Sequence, residues 1–350
     1  MRAIIDLCAI RSEQGAVLDL SVIIPVYNTE DYLKQCLESI PRSDIDLEIL
    51  CMNDGSTDGS LAIMRTAAQS DCRIEVIDKE NEGYGATVNK GILRAKGRYI
   101  AILEPDDYLD GDMYTVLFRL AQDFDYPDIV KSAYWNVDES ATRKKNCRYR
   151  GRIRSSMPFR IQDEPLLLRY HPSIWSAVYR KAFLVENNIR FKEVAGAGWV
   201  DNPFLVDTML RAENIVYTDE AFYCYREQRV GSSTSAMKDM HVPLDRWHEM
   251  TDILEDLNIK DEAILNIHAY RAFYNLKVAR YAQNYTEELW LEGAKRITHR
   301  LDPLIVAHSP FVSLRDKKLY ERLENRRLES FRVIAHCRTL ITESYWRLFG

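Results

Sequence analysis

Tyr99-Ile-Ala-Ile-Leu-Glu-Pro-Asp-Asp-Tyr108 decides how this chain is read. An apolar, β-favouring run stops abruptly at Glu104, Pro105, Asp106 and Asp107, which predicts a buried strand delivering carboxylates to a sheet edge. In open α/β sheets ligands gather beyond the carboxyl ends of the strands, where these side chains would lie. Three acidic groups within four residues repel one another unless a positive charge sits among them, and such hard oxygen ligands suit Mg²⁺ or Mn²⁺. The bland alternative is a strand-ending acidic turn, since Pro and Asp are ordinary turn residues.

Composition bounds the rest. A chain of 350 residues with 46% hydrophobic content can bury a proper core in one large domain or two modest ones. Its net charge of -6 gives no nucleic-acid footprint over the whole protein. Seven scattered cysteines without a CxxC pair suggest neither a disulfide framework nor a structural zinc site, and a reducing cytoplasm fits them best. Asp6 interrupts the short apolar stretch from Ala3 to Ile10, so no signal peptide is read, and no apolar run approaches the roughly 20 residues that span a bilayer. Membrane contact, if made, is expected to be peripheral, at the inner face.

On the N-terminal side of the acidic stretch, strand-like and helix-like segments alternate as in βαβ units. Ser21 to Val26 reads as a strand, after which Tyr27-Asn28 turn the chain and Thr29 can cap a helix carrying Leu33, Cys36, Leu37 and Ile40. Leu47 to Met52 reads as a second strand running into Asn53-Asp-Gly-Ser-Thr-Asp-Gly59. Ile74 to Ile77 predicts a third, followed by Asn81-Glu-Gly-Tyr-Gly85 and a helix from about Ala86 to Ala95. Gly83-x-Gly85 is only a partial dinucleotide fingerprint, because Val88 holds the third glycine position, and no GxxxxGK[ST] supports P-loop chemistry.

On the C-terminal side, Met113 to Ala121 reads as a helix and Asp128 to Ala133 as a strand, while Asp138 to Arg154 reads as a polar, solvated loop. Pro172 to Tyr179 is strand-like and carries Trp175, whose ring suits either an acceptor face or core packing. Gly196-Ala-Gly198 permits a positive-φ backbone just before Asp201, which stands near a helix start as N-cap, general base or both. Arg226 and Arg229, beside a Ser-rich run, suit a phosphate or sugar. From Pro243 onward the pattern is helical. The Arg- and Lys-rich last 40 residues read as a solvated face, with a membrane-surface or partner helix as the alternative.

With Ser21-Val-Ile-Ile-Pro-Val-Tyr-Asn28, Asn53-Asp-Gly-Ser-Thr-Asp58, Asn81-x-Gly83, Asn89-x-Gly91 and Glu104-Pro-Asp-Asp107 in register, the chain resembles the family-2 glycosyltransferases of GT-A fold. The match is strong from about Leu20 to Ala133, looser through Arg180, Asp201 and Ser232, and nothing obvious follows Met240. The resemblance implies an α/β fold: a Rossmann-like, mainly parallel sheet flanked by helices and followed by a helical C-terminal region. The expected division is an extension at 1–19, a nucleotide-sugar-binding and catalytic domain at 20–240 and helices at 241–350.

By position, the resemblance assigns Pro25, Tyr27, Asn28 and Glu30 to the first nucleotide loop and Asp54 to the uracil. Asn81 and Gly83 join the donor site, Glu104 and Asp107 lie near ribose and diphosphate, and Asp106 becomes the metal ligand, with His241 a candidate second one. Asp201 takes the place of the catalytic base. Trp175, Arg226 and Arg229 fall to the diphosphate and acceptor side. The implied activity is inverting, Mn²⁺- or Mg²⁺-assisted transfer from a nucleotide sugar, a UDP-sugar first, to a saccharide or lipid-linked hydroxyl in bacterial polysaccharide or glycolipid assembly. QxxRW is absent, so one transfer per encounter is expected, and the C-terminal helices are a natural place for dimer contacts. Val88 and Val200 stand where the family often has Arg and Glu. That leaves room for a degenerate nucleotide- or partner-binding protein, while a sugar nucleotidyltransferase lacks its usual Gly-rich basic loop here.

Overall fold

The computed structural model describes residues 18–138, 144–154, 157–227 and 237–324. Its first half follows the alternation read above. β1 (Leu20–Val26), β2 (Leu47–Asp54), β3 (Ile74–Lys79) and β4 (Tyr99–Ile102) are joined through α1 (Glu30–Glu38), α2 (Ser60–Ser70) and α3 (Tyr84–Arg94). They lie side by side in the order β3-β2-β1-β4, all parallel. β1, β2 and β4 are buried along their whole length, which is why they are near-continuous apolar runs rather than alternating ones. Register pairs Val26 with Asn53 and Ile23 with Ile102. The turns after three different strands therefore leave the sheet at one edge.

Beyond β4 the sheet becomes mixed. β5 (Tyr108–Leu109), α4 (Met113–Asp123), β6 (Ile129–Val137), β7 (Lys144–Asn146), β8 (Ala177–Arg180), α5 (Lys181–Glu186), α6 (Asp201–Arg211) and β9 (Ile215–Arg226) follow in the chain. The order continues β8-β6-β9-β5, with β7 paired to the last residues of β6, Trp135 to Val137, past where β8 ends. β8 is antiparallel to both β4 and β6, whereas β6 and β9 run parallel with a register shift where Asp219 and Glu220 bulge out.

Two segments differ from their sequence reading. The polar stretch before Arg154 is not simply a solvated loop: Lys144–Asn146 adds a strand, and Cys147, Tyr149 and Ile153 are buried. Tyr149 packs edge-on against Tyr134 and bonds the Ser173 hydroxyl at 3.1 Å, so an aromatic anchor holds a charged segment down. The run containing Trp175 forms a 3-10 turn over Ile174–Ser176 before β8 begins.

The C-terminal helices are α7 (His241–Asp256), α8 (Glu262–Ala279), α9 (Glu287–Thr298), α10 (Pro303–His308) and α11 (Leu314–Glu324). Asp261, Thr286 and Asp302 cap α8, α9 and α10 through their side chains, each satisfying an orphan N–H of the first turn. α7 packs against both α6 and α8, joining the helical region to the segment that carries Asp201. No helix among the described residues is long and apolar enough to cross a membrane. Among the described residues Cys36, Cys51, Cys147 and Cys224 are buried free thiols. Arg229, Ser232, the first 17 residues and the basic stretch from 325 onward lie outside the described residues.

Candidate active site

The turns after β1 and β2 are laced together. Asn28 takes a positive φ of 51°, donates its N–H to Ser56 Oγ at 3.2 Å and accepts Thr57 N–H on Oδ1 at 2.8 Å. Glu30 accepts Gly59 N–H at 2.6 Å, while its own N–H reaches Asp58 at 3.0 Å. Pro25 is buried in β1 and Tyr27 stands exposed above this edge.

Asp54 ends β2 and is buried. Its carboxylate pairs with Lys79 and accepts the N–H groups of Glu82 at 2.9 Å and Gly83 at 3.0 Å. Burial alone would raise its pKa, but Lys79, the Glu82 N–H and Thr87 outweigh that and hold it below the usual carboxylate range. Asp54 thereby fixes the loop that starts α3. Asn81, exposed on this loop, lines a cavity of about 320 Å³ with Glu82, Ala86 and the segment Glu193, Val194 and Ala195. A larger cleft of about 600 Å³, lined by Lys96, Arg98, Tyr126, Arg180 and Lys181, sits at the opposite end of β4 and is remote from these groups.

The acidic turn is tightly held. Asp107 N–H bonds Glu104 O at 3.1 Å, and the Glu104 carboxylate accepts the Tyr84 hydroxyl at 2.6 Å. Asp107 is buried; it accepts Tyr223 OH at 2.8 Å and Arg226 N–H at 2.8 Å. Burial, and then the charge of Asp106, push the Asp107 carboxyl well above the ordinary range. Arg226 is buried beneath the turn, donating Nε–H to the Asp106 carbonyl at 2.8 Å and reaching Gln35, with its guanidinium over the Tyr32 and Tyr108 rings. It braces the turn.

The donor set fits a hard divalent ion. Glu104 and Asp106 are both half-buried and stand two residues apart on one turn, so each brings hard carboxylate oxygens to the same edge. Among the described residues no three His, Cys, Asp or Glu side chains gather into a ready-made metal cage, and His241 stands at the start of α7 with its N–H on Asp239. Mg²⁺-type ions are held by one or two carboxylates, the shell being completed by substrate phosphates and water.

On the other side, Gly196, Gly198 and Trp199 all adopt positive φ, turning the chain into α6. Val200 occupies the N-cap and Asp201 is the first helical residue, which places its carboxylate at the positive end of the helix. Asn202 Nδ2 donates to Asp201 Oδ1 at 3.0 Å. The Asp201 carboxyl is raised, chiefly by burial, against the opposing pull of Asn202 and Arg271.

Two tyrosines connect the halves. Tyr84, bonded to Glu104, has its phenol held up by burial, then by the charge of Glu104, and further by Asp201. The Tyr225 phenol is raised by burial and then by Asp107, Asp106 and Asp201. Each ring is thus within electrostatic reach of both the acidic turn and Asp201.

Trp175 corrects the reading that offered its face to an acceptor. At 4% exposure it is buried, stacked on Tyr223 at 4.0 Å and Tyr225 at 5.2 Å. The accessible aromatic here is His171, whose ring lies 4.8 Å from that of Tyr225. Tyr84, His171, Asn202, Tyr225 and Arg271 were not singled out from the sequence. Tyr84 alone carried a local signal, as the residue between the two glycines of Asn81-Glu-Gly-Tyr-Gly85.

Residues 21–185 match the family described as Glycosyl transferase family 2. The chain carries a family-2 glycosyltransferase domain. It is 32% identical over 211 residues to the uncharacterized glycosyltransferase YibD of Escherichia coli (strain K12), covering 59% of this chain and 60% of YibD. It is 30% identical over 229 residues to the uncharacterized glycosyltransferase EpsJ of Bacillus subtilis (strain 168), covering 59% of this chain and 61% of EpsJ. The matches thus span less than two thirds of these relatives. In structure, the glycosyltransferase domain and its helices resemble S. aureus TarS 1-349 in complex with UDP-GlcNAc, with a TM-score of 0.73, 18% identity and 88% of each chain covered. At that identity the likeness is one of fold, GT-A with C-terminal helices.

Proposed function

We propose that this protein transfers a sugar from a UDP-sugar to a hydroxyl of a saccharide or lipid-linked acceptor, one unit per encounter, with inversion at the anomeric carbon. The observation that carries the reading is that Tyr84, bonded to Glu104, and Tyr225 each feel the charge of both the acidic turn and Asp201. One side suits a leaving diphosphate and the other a nucleophile that must lose a proton. The UDP-GlcNAc bound to S. aureus TarS, a protein of the same fold, supports UDP as the first base to test. On this reading residues 20–240 form the catalytic unit and the helices after it complete the acceptor side.

On this reading each group has its role. Asn28, Asp54 and the Asn81 loop line the nucleotide side, with Asp54 keeping that loop in place. Glu104 and Asp106 would hold a Mn²⁺ or Mg²⁺ ion, which when bound supplies positive charge against the departing diphosphate. Arg226 and Tyr223 keep the turn rigid, so its carboxylates need not reorganise as charge develops. Asp201, with its raised pKa, takes the acceptor proton. A carboxylate on the face opposite the leaving group gives inversion.

Calorimetric titration with UDP and other nucleoside diphosphates, each with and without Mn²⁺, tests the donor side. Turnover of the matching nucleotide sugars tests the reaction. UDP binding strengthened by Mn²⁺ and followed by UDP release with an acceptor is the expected outcome. Binding without turnover against any acceptor would favour the degenerate, nucleotide-binding reading, and no binding would defeat the donor assignment.

A further inference from the structure

Arg271 is the feature of the helical region that the glycosyltransferase reading leaves unused. It lies in α8, some seventy residues beyond Asp201, and is 5% exposed. An arginine is rarely buried unless each of its donors has a specific acceptor. Here Nη1 donates to the Leu168 carbonyl at 2.6 Å and Nη2 to Asn202 Oδ1. Asn202 in turn donates Nδ2–H to Asp201 Oδ1 at 3.0 Å. An amide has one acceptor end and one donor end. Because a guanidinium has only donors, Arg271 fixes which end of Asn202 meets it and therefore which end meets Asp201.

We infer that Arg271 is a positioning residue for Asp201, acting through Asn202 to set the rotamer and protonation of the base from the C-terminal helices. The inference rests on the proposed role of Asp201. The amide holds Oδ1, which fixes the direction in which the carboxylate meets the acceptor proton. Burial, then Asn202 beside it on α6 and Arg271 from α8, set the charge state of Asp201, while Tyr84 from α3 and Tyr225 from β9 face it and feel its charge. Arg271 is the cation among them, and the Asp201 charge acts back on its guanidinium. Losing it would leave the Asn202 amide oriented only by the Trp199 carbonyl at 3.4 Å, and Asp201 facing two phenols, neither of which compensates its charge.

The test is the titration of the Asp201 carboxyl in the full chain, followed by ¹³C-aspartate NMR and assigned with Asp201→Asn. Arg271→Met is expected to raise the Asp201 midpoint by about one pH unit, the usual effect of removing an adjacent opposite charge. Asn202→Leu is expected to shift it in the same direction. Arg271→Lys, which keeps the charge but not the fork, is expected to give a smaller rise, and it takes the place of Arg271→Met if that variant does not fold. An Asp201 midpoint within 0.2 unit (about the reading error) in folded Asn202→Leu and in either Arg271 variant would overturn the inference. UDP calorimetry on the same samples separates the two readings: a moved midpoint with no UDP binding in the parent leaves the positioning intact and removes the glycosyltransferase reading. UDP binding with an unmoved midpoint does the reverse. Where turnover is measurable, the acidic limb of the kcat profile moves upward with the midpoint.

Discussion

Asn89→Ala tests whether α3 is stitched to the segment that leads into Asp201. The Asn89 side chain makes three bonds to that segment: Nδ2 donates to Phe191 O at 2.9 Å and to Glu193 Oε1 at 3.0 Å, and Oδ1 accepts Phe191 N–H at 2.9 Å. Asn89 and Phe191 are both buried, so water cannot replace what is lost. An unpaired buried backbone group costs about 1–3 kcal/mol, and the substitution strands one N–H and one C=O. Allowing for partial relaxation, the expected destabilisation is about 3 kcal/mol, read as a lower urea midpoint at unchanged slope. Asn89→Asp keeps an acceptor for Phe191 N–H but loses both donors and meets the Glu193 carboxylate, so it should be no better than Ala. A loss below about 1 kcal/mol for Asn89→Ala would refute the reasoning, because it would mean that Phe191 finds other partners without Asn89.

Asp201→Asn should leave UDP affinity nearly unchanged by calorimetry while lowering turnover about 10²- to 10⁴-fold, the usual contribution of a general base; parallel loss of both would contradict its placement on the acceptor side. Asp106→Ala should abolish the Mn²⁺ dependence of UDP binding while the metal-free affinity stays close to the parent's. Lys131, buried against the Ser173 and Ser176 hydroxyls and the Ser173 carbonyl, has its pKa lowered to about 7, chiefly by burial. The folded state then binds fewer protons than the unfolded one between that value and the ordinary lysine range. Stability relative to Lys131→Met should accordingly rise with pH from about 7.5 to 9.5, by up to about 1.4 kcal/mol per pH unit, and a flat difference between the two would show that the amine stays protonated in the core. Gly91→Ala should cost about 1–3 kcal/mol in urea unfolding, because its Cβ would stand 2.6 Å from Ile23 Cγ2 on β1.

Much of the donor half was legible because its information is local. The apolar runs of β1, β2 and β4 each end in turn residues, and parallel register alone brings Asn28, Asp54 and Glu104 to one edge. The remainder depends on chain reversals and distant partners. β9 was not read as a strand, because Asp219 and Glu220 bulge out of the ladder and break its pattern midway. Nothing in Lys144 to Arg154 announces a strand, since what holds it is Tyr149 reaching Tyr134 and Ser173. Trp175 left two readings open, and the choice was made by Tyr223 and Tyr225 closing over it from β9. Arg271 looks like one more helix cation until folding sets it beside Asn202.

The seam between α3 and the segment before α6 also limits how the chain can be recombined with its relatives. Tyr84 N–H bonds Gly196 O at 3.1 Å, the Tyr84 ring meets Phe191 edge-on, and a side chain at Gly85 would enter the Lys192 carbonyl. A graft that imports a foreign segment at 81–91 while keeping the native 189–198 would set two unmatched surfaces against each other. The two segments, about a hundred residues apart in sequence, form one heritable unit: a crossover that separates them loses the fit, whereas one that carries both keeps it.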